Sequence, residues 1–288
     1  MVPGSLTSAA PAVLDTPLCE DHPLIRLENI HVSYALKDGT WKKVLNGIDL
    51  DIRPGEFISV VGQTGCGKST LLRLVLGSEM PTEGSVLVED REIRRPDRDR
   101  GYVPQKYSLF PDKTVSGNIT FGLEVEEFSL LTRFTPQFYK RRREFRAEAM
   151  RQLIKMGLHE SDAAKYPDQL SGGMQQRVAI AQALVMKPKI LLMDEAFSAL
   201  DPGTRAGMQK LIRNVWKETG TTVLFVTHNI AEALHLATRV IVLAKNPDAD
   251  GSCIALDLPV PDHEFAGDYA ALAARIEQAT GHMRVDAS

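Results

Sequence analysis

Short apolar runs alternate along this chain with stretches of helical periodicity, and together they predict an ordered series of strands and helices. Residues 25–34 alternate apolar with polar positions, residues 41–51 do the same, and Lys37-Asp38-Gly39-Thr40 between them is a turn. Two such runs predict an antiparallel hairpin. Phe57-Ile58-Ser59-Val60-Val61 reads as a buried strand, and residues 70–76 after it read as a helix. Further short strands are expected at 86–89 and 101–105. From there to about Tyr166 the helical signal dominates, its longest piece spanning 138–156. Ser171 is a good N-cap for a helix that Pro188 stops. Buried strands at 190–194, 222–227 and 240–243 then alternate with helices at 205–219 and 230–237. This order predicts an α/β fold: a mainly parallel sheet with helices on its faces, an antiparallel β subdomain beside it, and a helical subdomain at about 106–176.

The same pattern sets the expected boundaries. Residues 1–23 are rich in Ser, Ala and Pro and are expected to be disordered; one catalytic domain should span 24–247. Residues 248–288 turn polar and Pro-rich, predicting a C-terminal tail with one short helix at about 268–280.

Chemistry enters at Gly62-Gln63-Thr64-Gly65-Cys66-Gly67-Lys68-Ser69, which fits G-x-x-x-x-G-K-[ST] between a strand and a helix. In that context glycines let backbone N–H groups wrap a polyphosphate, and the helix N-terminus adds the positive end of its dipole. The fold expected is therefore a P-loop NTPase core. Lys68 should reach the β- and γ-phosphates of ATP, Ser69 should ligate Mg²⁺, and Thr70 opens the helix. Residues 190–193 carry Asp194 and Glu195 at the end of an apolar strand. Asp194 can bind Mg²⁺, and Glu195 can orient or deprotonate the attacking water. Gln105 and His228 also end strands, and a parallel sheet brings such ends to one edge. Taken alone, a histidine at a strand end is more often structural.

Composition narrows the class. With 43% hydrophobic and 25% charged residues, 288 residues suffice for a full core, and a net charge of −3 offers no general attraction to nucleic acid or anionic lipid. Three scattered cysteines exclude a disulfide framework, and no run approaches the ~18 apolar residues of a spanning helix. A cytoplasmic protein is expected. The charge-dense stretch 91–100 mixes both signs, which predicts a solvated turn. Lys140-Arg141-Arg142-Arg143 spreads around a helix, as solvated surface or as a contact with anionic lipid or a partner.

Residues 62–69, Leu170-Ser171-Gly172-Gly173-Met174-Gln175-Gln176-Arg177, residues 190–195, Ser198-Ala199-Leu200-Asp201 and His228 together resemble the ATP-binding-cassette (ABC) ATPases. The resemblance covers roughly 24–245 and is most similar to the importer branch for nitrate, sulfonates and taurine. It implies that Gln105 senses Mg²⁺ and the partner subunit, and that His228 is a switch beside the γ-phosphate. It also implies that Ser171, Gly172, Gly173 and Gln175 of one copy close on ATP held by a second copy, with Asp201 at their interface. Tyr34 fits the aromatic that stacks on adenine, with Trp41 its competitor. The partners implied are an integral-membrane permease on whose cytoplasmic side the chain works, and a solute-binding protein. Asp112 stands where that branch often has tryptophan, and residues 126–146 form an enlarged insert, so a lipid or another cargo stays open. Repair ATPases share these motifs but carry coiled-coil or zinc insertions, which this chain lacks; no nucleic-acid partner is expected.

Overall fold

The computed structural model describes residues 22–106, 108–128, 132, 135–246, 249–261 and 269–281. Most of the segment expected to be disordered, and Tyr107 just past Gln105, lie outside these residues. In chain order, β1 (Ile25–Ala35) and β2 (Trp41–Ile52) form the hairpin, and β3 (Phe57–Gly62) feeds α1 (Lys68–Leu76). Next come β4 (Glu83–Val88), the two-residue β5 (Arg91–Glu92) and β6 (Arg100–Val103). Three helices follow: α2 (Val115–Glu127), α3 (Pro136–Lys155) and α4 (Gly172–Leu184). The remainder is β7 (Ile190–Asp194), α5 (Pro202–Thr219), β8 (Thr222–Val226), α6 (Ile230–Leu236), β9 (Arg239–Lys245), β10 (Ser252–Pro259) and α7 (Tyr269–Gly281).

Among the described residues these strands make one sheet, ordered β5-β4-β1-β2-β10-β9-β3-β8-β7-β6. β9, β3, β8, β7 and β6 run parallel, while β2, β1, β4 and β5 form the antiparallel arm. β3, β7 and β8 are buried at every position, which is why each reads as a continuous apolar run. Their side chains still alternate between two cores. Phe57, Val61, Met193 and Phe225 face the core closed by α4 to α7, whereas Ile58, Val60, Leu192 and Leu224 face α1 and the antiparallel arm. α1 is thus wedged between parallel sheet and arm by Leu71, Leu72, Leu74 and Val75.

Capping follows from local sequence. Thr114, Thr135, Ser171, Asp201 and Asn229 each accept a backbone N–H in the first turn of α2, α3, α4, α5 and α6. Pro136 and Pro202 start their helices where the missing N–H costs nothing.

Three expectations need correction. The segment beyond residue 247 is not an appended tail. β10 fills the sheet between β9 and β2, and Leu272 and Ile276 of α7 are buried. Arg239 of β9 fastens it, donating to Asp257 at 2.7 and 2.6 Å. Polar residues along β10 disguised it, because only one of its faces meets the core. The charge-dense stretch is not wholly solvated either: Arg100 is buried and clamps Leu76 O (3.2 Å), Arg95 O (2.6 Å) and Asp97 (2.8 Å). Finally, the basic cluster is partly paired within the chain. Arg141 forks onto Glu127 (2.6 and 2.7 Å) and Arg142 reaches Glu124 (3.3 Å), pinning α3 to α2, while Lys140 and Arg143 remain exposed.

Candidate active site

The carboxyl ends of β3, β6, β7 and β8 meet at one edge, where a cleft of about 700 Å³ is lined by Tyr34, Lys68, Ser69, Gln105, Glu195 and His228, among others. Gly67 shows why the loop needs glycine. Its φ is 97°, and a Cβ there would come within 2.6 Å of Leu45 Cδ2. That close approach seats the start of α1 against β2. Gly62 is equally confined, since a Cβ would lie 2.3 Å from the Leu243 carbonyl oxygen. Lys68 is buried, its ammonium donating to Gly62 O (2.7 Å) and Gln63 O (2.9 Å), so its charge is held at the loop's centre. Gln63 turns outward and donates to Thr280 O of α7 at 3.0 Å. Thr64 and Gly65 line the cleft. Cys66 is buried, and that burial pushes its thiol pKa up.

Ser69 Oγ donates to Asp194 Oδ1 at 3.1 Å. Burial raises the Asp194 carboxyl above its ordinary pKa; Ser69's hydrogen bond opposes this and the neighbouring Glu195 charge adds to it. A divalent cation would relieve that penalty. The donors are all hard oxygens: the Ser69 hydroxyl, the Asp194 carboxylate and, across the cleft, the Gln105 amide. Among the described residues no group of three or more His, Cys, Asp or Glu could hold a metal without other help. That donor set suits Mg²⁺, which takes one or two protein oxygens and completes its shell with phosphates and water.

Glu195 has a left-handed backbone, φ 44°, directly after β7. Its N–H donates to Val226 O (2.9 Å), and its carbonyl accepts from Ser198 N (3.0 Å) and Ser198 Oγ (2.9 Å). A strained residue held so firmly is a mark of function, here aiming the carboxylate into the cleft. Gln105 Nε2 donates to Glu195 Oε2 at 2.9 Å, and His228 Nδ1 lies 3.3 Å from Oε1. Such a carboxylate can accept a proton from water.

Ser171, Gly172, Gly173, Gln175 and Asp201 do not line this cleft. Ser171 caps α4 through Met174 N (3.4 Å), and Gly173 packs so closely that a Cβ would meet Thr204 Cγ2 at 2.6 Å. Gln175 donates to Pro167 O and Leu170 O at 2.9 and 3.2 Å, bracing the approach to α4. Asp201 accepts from Thr204 N at 3.0 Å, and its hydrogen bonds to Thr204 hold its carboxyl below the ordinary value. Trp41 does not line the cleft either and is 69% exposed, whereas Tyr34 forms one wall.

A cavity of about 630 Å³ opens at the opposite, amino-terminal edge of the sheet, lined by Lys155, Lys187 and Lys189 among apolar and polar residues. Lys155 is paired with Glu218, and Lys189 with Glu89, which itself lines the cavity.

A family model described as "ABC transporter" matches residues 45–198. This chain belongs to the ABC transporter family. An uncharacterised ABC transporter ATP-binding protein of Methanocaldococcus jannaschii is 41% identical over 237 residues, 82% of this chain and 84% of that protein. The bicarbonate transport ATP-binding protein of Synechococcus elongatus is 44% identical and the nitrate import ATP-binding protein of that species 40%, each over 82% of this chain. This chain spans only 34% of those two proteins' lengths. A solved dimeric ATP-binding cassette in a post-hydrolysis state, bound to ADP and Pi, superposes with a TM-score of 0.69 at 30% identity, over 82% of this chain and 99% of that one. The ABC cassette is an ATPase, and the α/β fold and the ATP-hydrolysing class expected from the motifs are both met.

Sequence reading missed the residues that brace this ABC site. Thr227 Oγ1 donates to Glu232 Oε2 (2.6 Å), Gln209 Nε2 donates to Glu232 Oε1 (2.9 Å), and Asn229 N donates to Thr227 Oγ1 (3.1 Å), so His228 sits in a fixed turn. Asn118 is fully buried and bonds Phe110 N (2.7 Å), Phe110 O (3.1 Å) and Lys113 O (3.1 Å), anchoring the loop after Gln105 to α2. Only Asn229, a polar residue just ahead of a helical run, left a local signal.

Proposed function

We propose that this chain is the ATP-driven motor of an importer for a small solute, acting as an ATP-sandwiched dimer on the cytoplasmic side of a membrane permease. The observation that carries the proposal is a division. Lys68, Ser69, Gln105, Asp194, Glu195 and His228 share one cleft or its rim, while the capped N-terminus of α4 stands outside it. A second copy facing head to tail brings that N-terminus, with Ser171, Gly172, Gly173 and Gln175, onto the γ-phosphate, where its amides and dipole favour the anion. Asp201 lies at the same interface. The dimeric state of the ADP- and Pi-bound cassette supports this arrangement.

Within the cleft Lys68 and the loop amides from Gly62 to Thr70 hold the phosphates, and Tyr34 rather than Trp41 faces the base. Ser69, Asp194 and Gln105 hold Mg²⁺, which supplies charge neutralisation for phosphoryl transfer. Glu195 orients water and takes its proton, and His228 fixes the γ-phosphate end. Loss of the γ-phosphate removes the contact that holds the dimer shut. No helix among the described residues is long and apolar enough to cross a membrane. The names of the bicarbonate and nitrate relatives favour a small oxyanion as cargo, in keeping with the nitrate, sulfonate and taurine branch, with a solute-binding protein to capture it.

Light scattering of Glu195→Gln with and without ATP tests the sandwich. A nucleotide-dependent doubling of mass is expected, and a monomer at saturating ATP overturns it. Purification of the tagged chain from its host's membranes should bring a permease with it; recovery of the chain with no spanning protein overturns the coupling.

A further inference from the structure

We infer that Glu79 is a positioning residue for the nucleobase end of the site, acting through Tyr34; the inference rests on the proposed role of Tyr34. Four side chains close a ring of hydrogen bonds. Arg73 Nη2 donates to Thr70 Oγ1 (3.3 Å), and the Thr70 hydroxyl lies 3.4 Å from Tyr34 Oη. Tyr34 donates in turn to Glu79 Oε1, and Arg73 Nε lies 3.1 Å from Glu79 Oε2. Arg73 donates at both its bonds, Glu79 accepts at both, and each hydroxyl between them can donate once and accept once, so one assignment of protons satisfies all four groups. Burial and the Glu79 hydrogen bond both raise the Tyr34 pKa, keeping the phenol a donor at neutral pH.

Chain geometry delivers Glu79 to this point. α1 ends at Gly77 in the left-handed region, φ 79°, and a Cβ there would meet Ile93 Cγ2 at 2.5 Å. The turn that results directs Ser78 N and Glu79 N back onto Arg73 O at 3.1 and 3.3 Å. Glu79 is therefore fixed by its backbone, and its carboxylate is paired on one oxygen with Arg73 and on the other with Tyr34. Thr70 stands immediately after Ser69, so the ring ties the wall that faces the base to the helix that faces the phosphates.

Without its tether the Tyr34 ring is free to sample about three staggered χ1 positions, of which one faces the cleft. Dividing the dissociation constant by that fraction weakens base-dependent binding about threefold. Removing the ring itself should cost roughly fivefold or more, the scale of aromatic–base stacking.

The test is calorimetric titration of the full chain with ADP and with pyrophosphate, neither of which is turned over. Glu79→Ala and Tyr34→Phe are each expected to weaken ADP about threefold, the double variant no more than either, and Glu79→Gln less than Glu79→Ala. Pyrophosphate affinity should not change. Unchanged ADP affinity in Glu79→Ala overturns the inference, as does a double variant near ninefold. A parallel fall in pyrophosphate affinity also overturns it, since Glu79 would then support the phosphate loop through Thr70. Tyr34→Ala separates the two readings. If it leaves ADP binding intact, the role of Tyr34 falls and the inference with it; if it weakens ADP while the Glu79 variants do not, only the positioning role of Glu79 falls.

Discussion

Replacing Ile276 with alanine probes the segment that the sequence presented as a tail. Ile276 is 0% exposed on α7 and packs into the core shared with β9 and α6. Removing its three outer carbons forfeits transfer free energy and leaves a cavity, about 2–5 kcal/mol for a fully buried isoleucine. With ~3 kcal/mol lost, and ~2–4 °C per kcal/mol for a domain of this size, Tm should fall by about 6–12 °C. The loss is large against a typical total stability of ~5–15 kcal/mol. The assay is thermal unfolding followed by circular dichroism, without nucleotide and at one protein concentration. Exposed Glu277→Ala on the same helix is the control, expected within ~0.5 kcal/mol of the parent. If Ile276→Ala shifts Tm no more than that control, α7 is a docked tail and the reasoning is refuted. Deleting everything after residue 247 should be harsher, because β9 loses its seven-residue register with β10 at the centre of the sheet.

Other expected outcomes follow from the site. Glu195→Gln should hydrolyse ATP ~10²–10⁴-fold more slowly, about 3–5 kcal/mol in barrier, with affinity retained; phosphate-release rates within tenfold of the parent would contradict the base role. Lys68→Ala should abolish nucleotide binding by equilibrium dialysis, since the buried ammonium is the loop's one cationic side chain; unchanged affinity would refute its phosphate contact. Asp194→Asn should stabilise the metal-free protein at neutral pH. A folded-state pKa above the unfolded one means the charged form is penalised in the fold, so the gain is full above the raised pKa. It should fade as pH falls through that value toward the unfolded ~3.9, and a pH-independent difference in Tm would overturn the assignment. Asn118→Ala removes the buried side-chain partner of the Phe110 N–H and of three carbonyls, costing ~1–3 kcal/mol. It should also raise protease cleavage after Gln105; an unaltered digestion pattern would count against its anchoring role.

How much was legible depended on how far apart the cooperating residues lie. Residues 62–69 are contiguous, and their chemistry, a backbone cradle followed by a helix start, is set by local φ and spacing; the loop could be read directly. Asp194 and Glu195 were legible because an apolar run of four buried residues announces a central strand, and a parallel sheet presents function at its strand ends. The position of Gln105 2.9 Å from Glu195 was not readable, because it depends on β6 pairing with β7 across 90 residues.

What the sequence determined unaided was the alternation of strand and helix, the phosphate loop, the acidic pair and the signature that sets the family apart. These rest on backbone conformation, periodicity and capping, all properties of neighbouring residues. Tertiary structure decided the rest. It placed β10 between β9 and β2, where partly polar residues became a central strand only because both neighbours offered open edges. It turned Arg100 inward, and it closed Arg73, Thr70, Tyr34 and Glu79 into one ring. Each of these arises from groups distant in the chain that must meet to satisfy hydrogen bonds or bury apolar surface, and no local pattern records which partner a side chain will find.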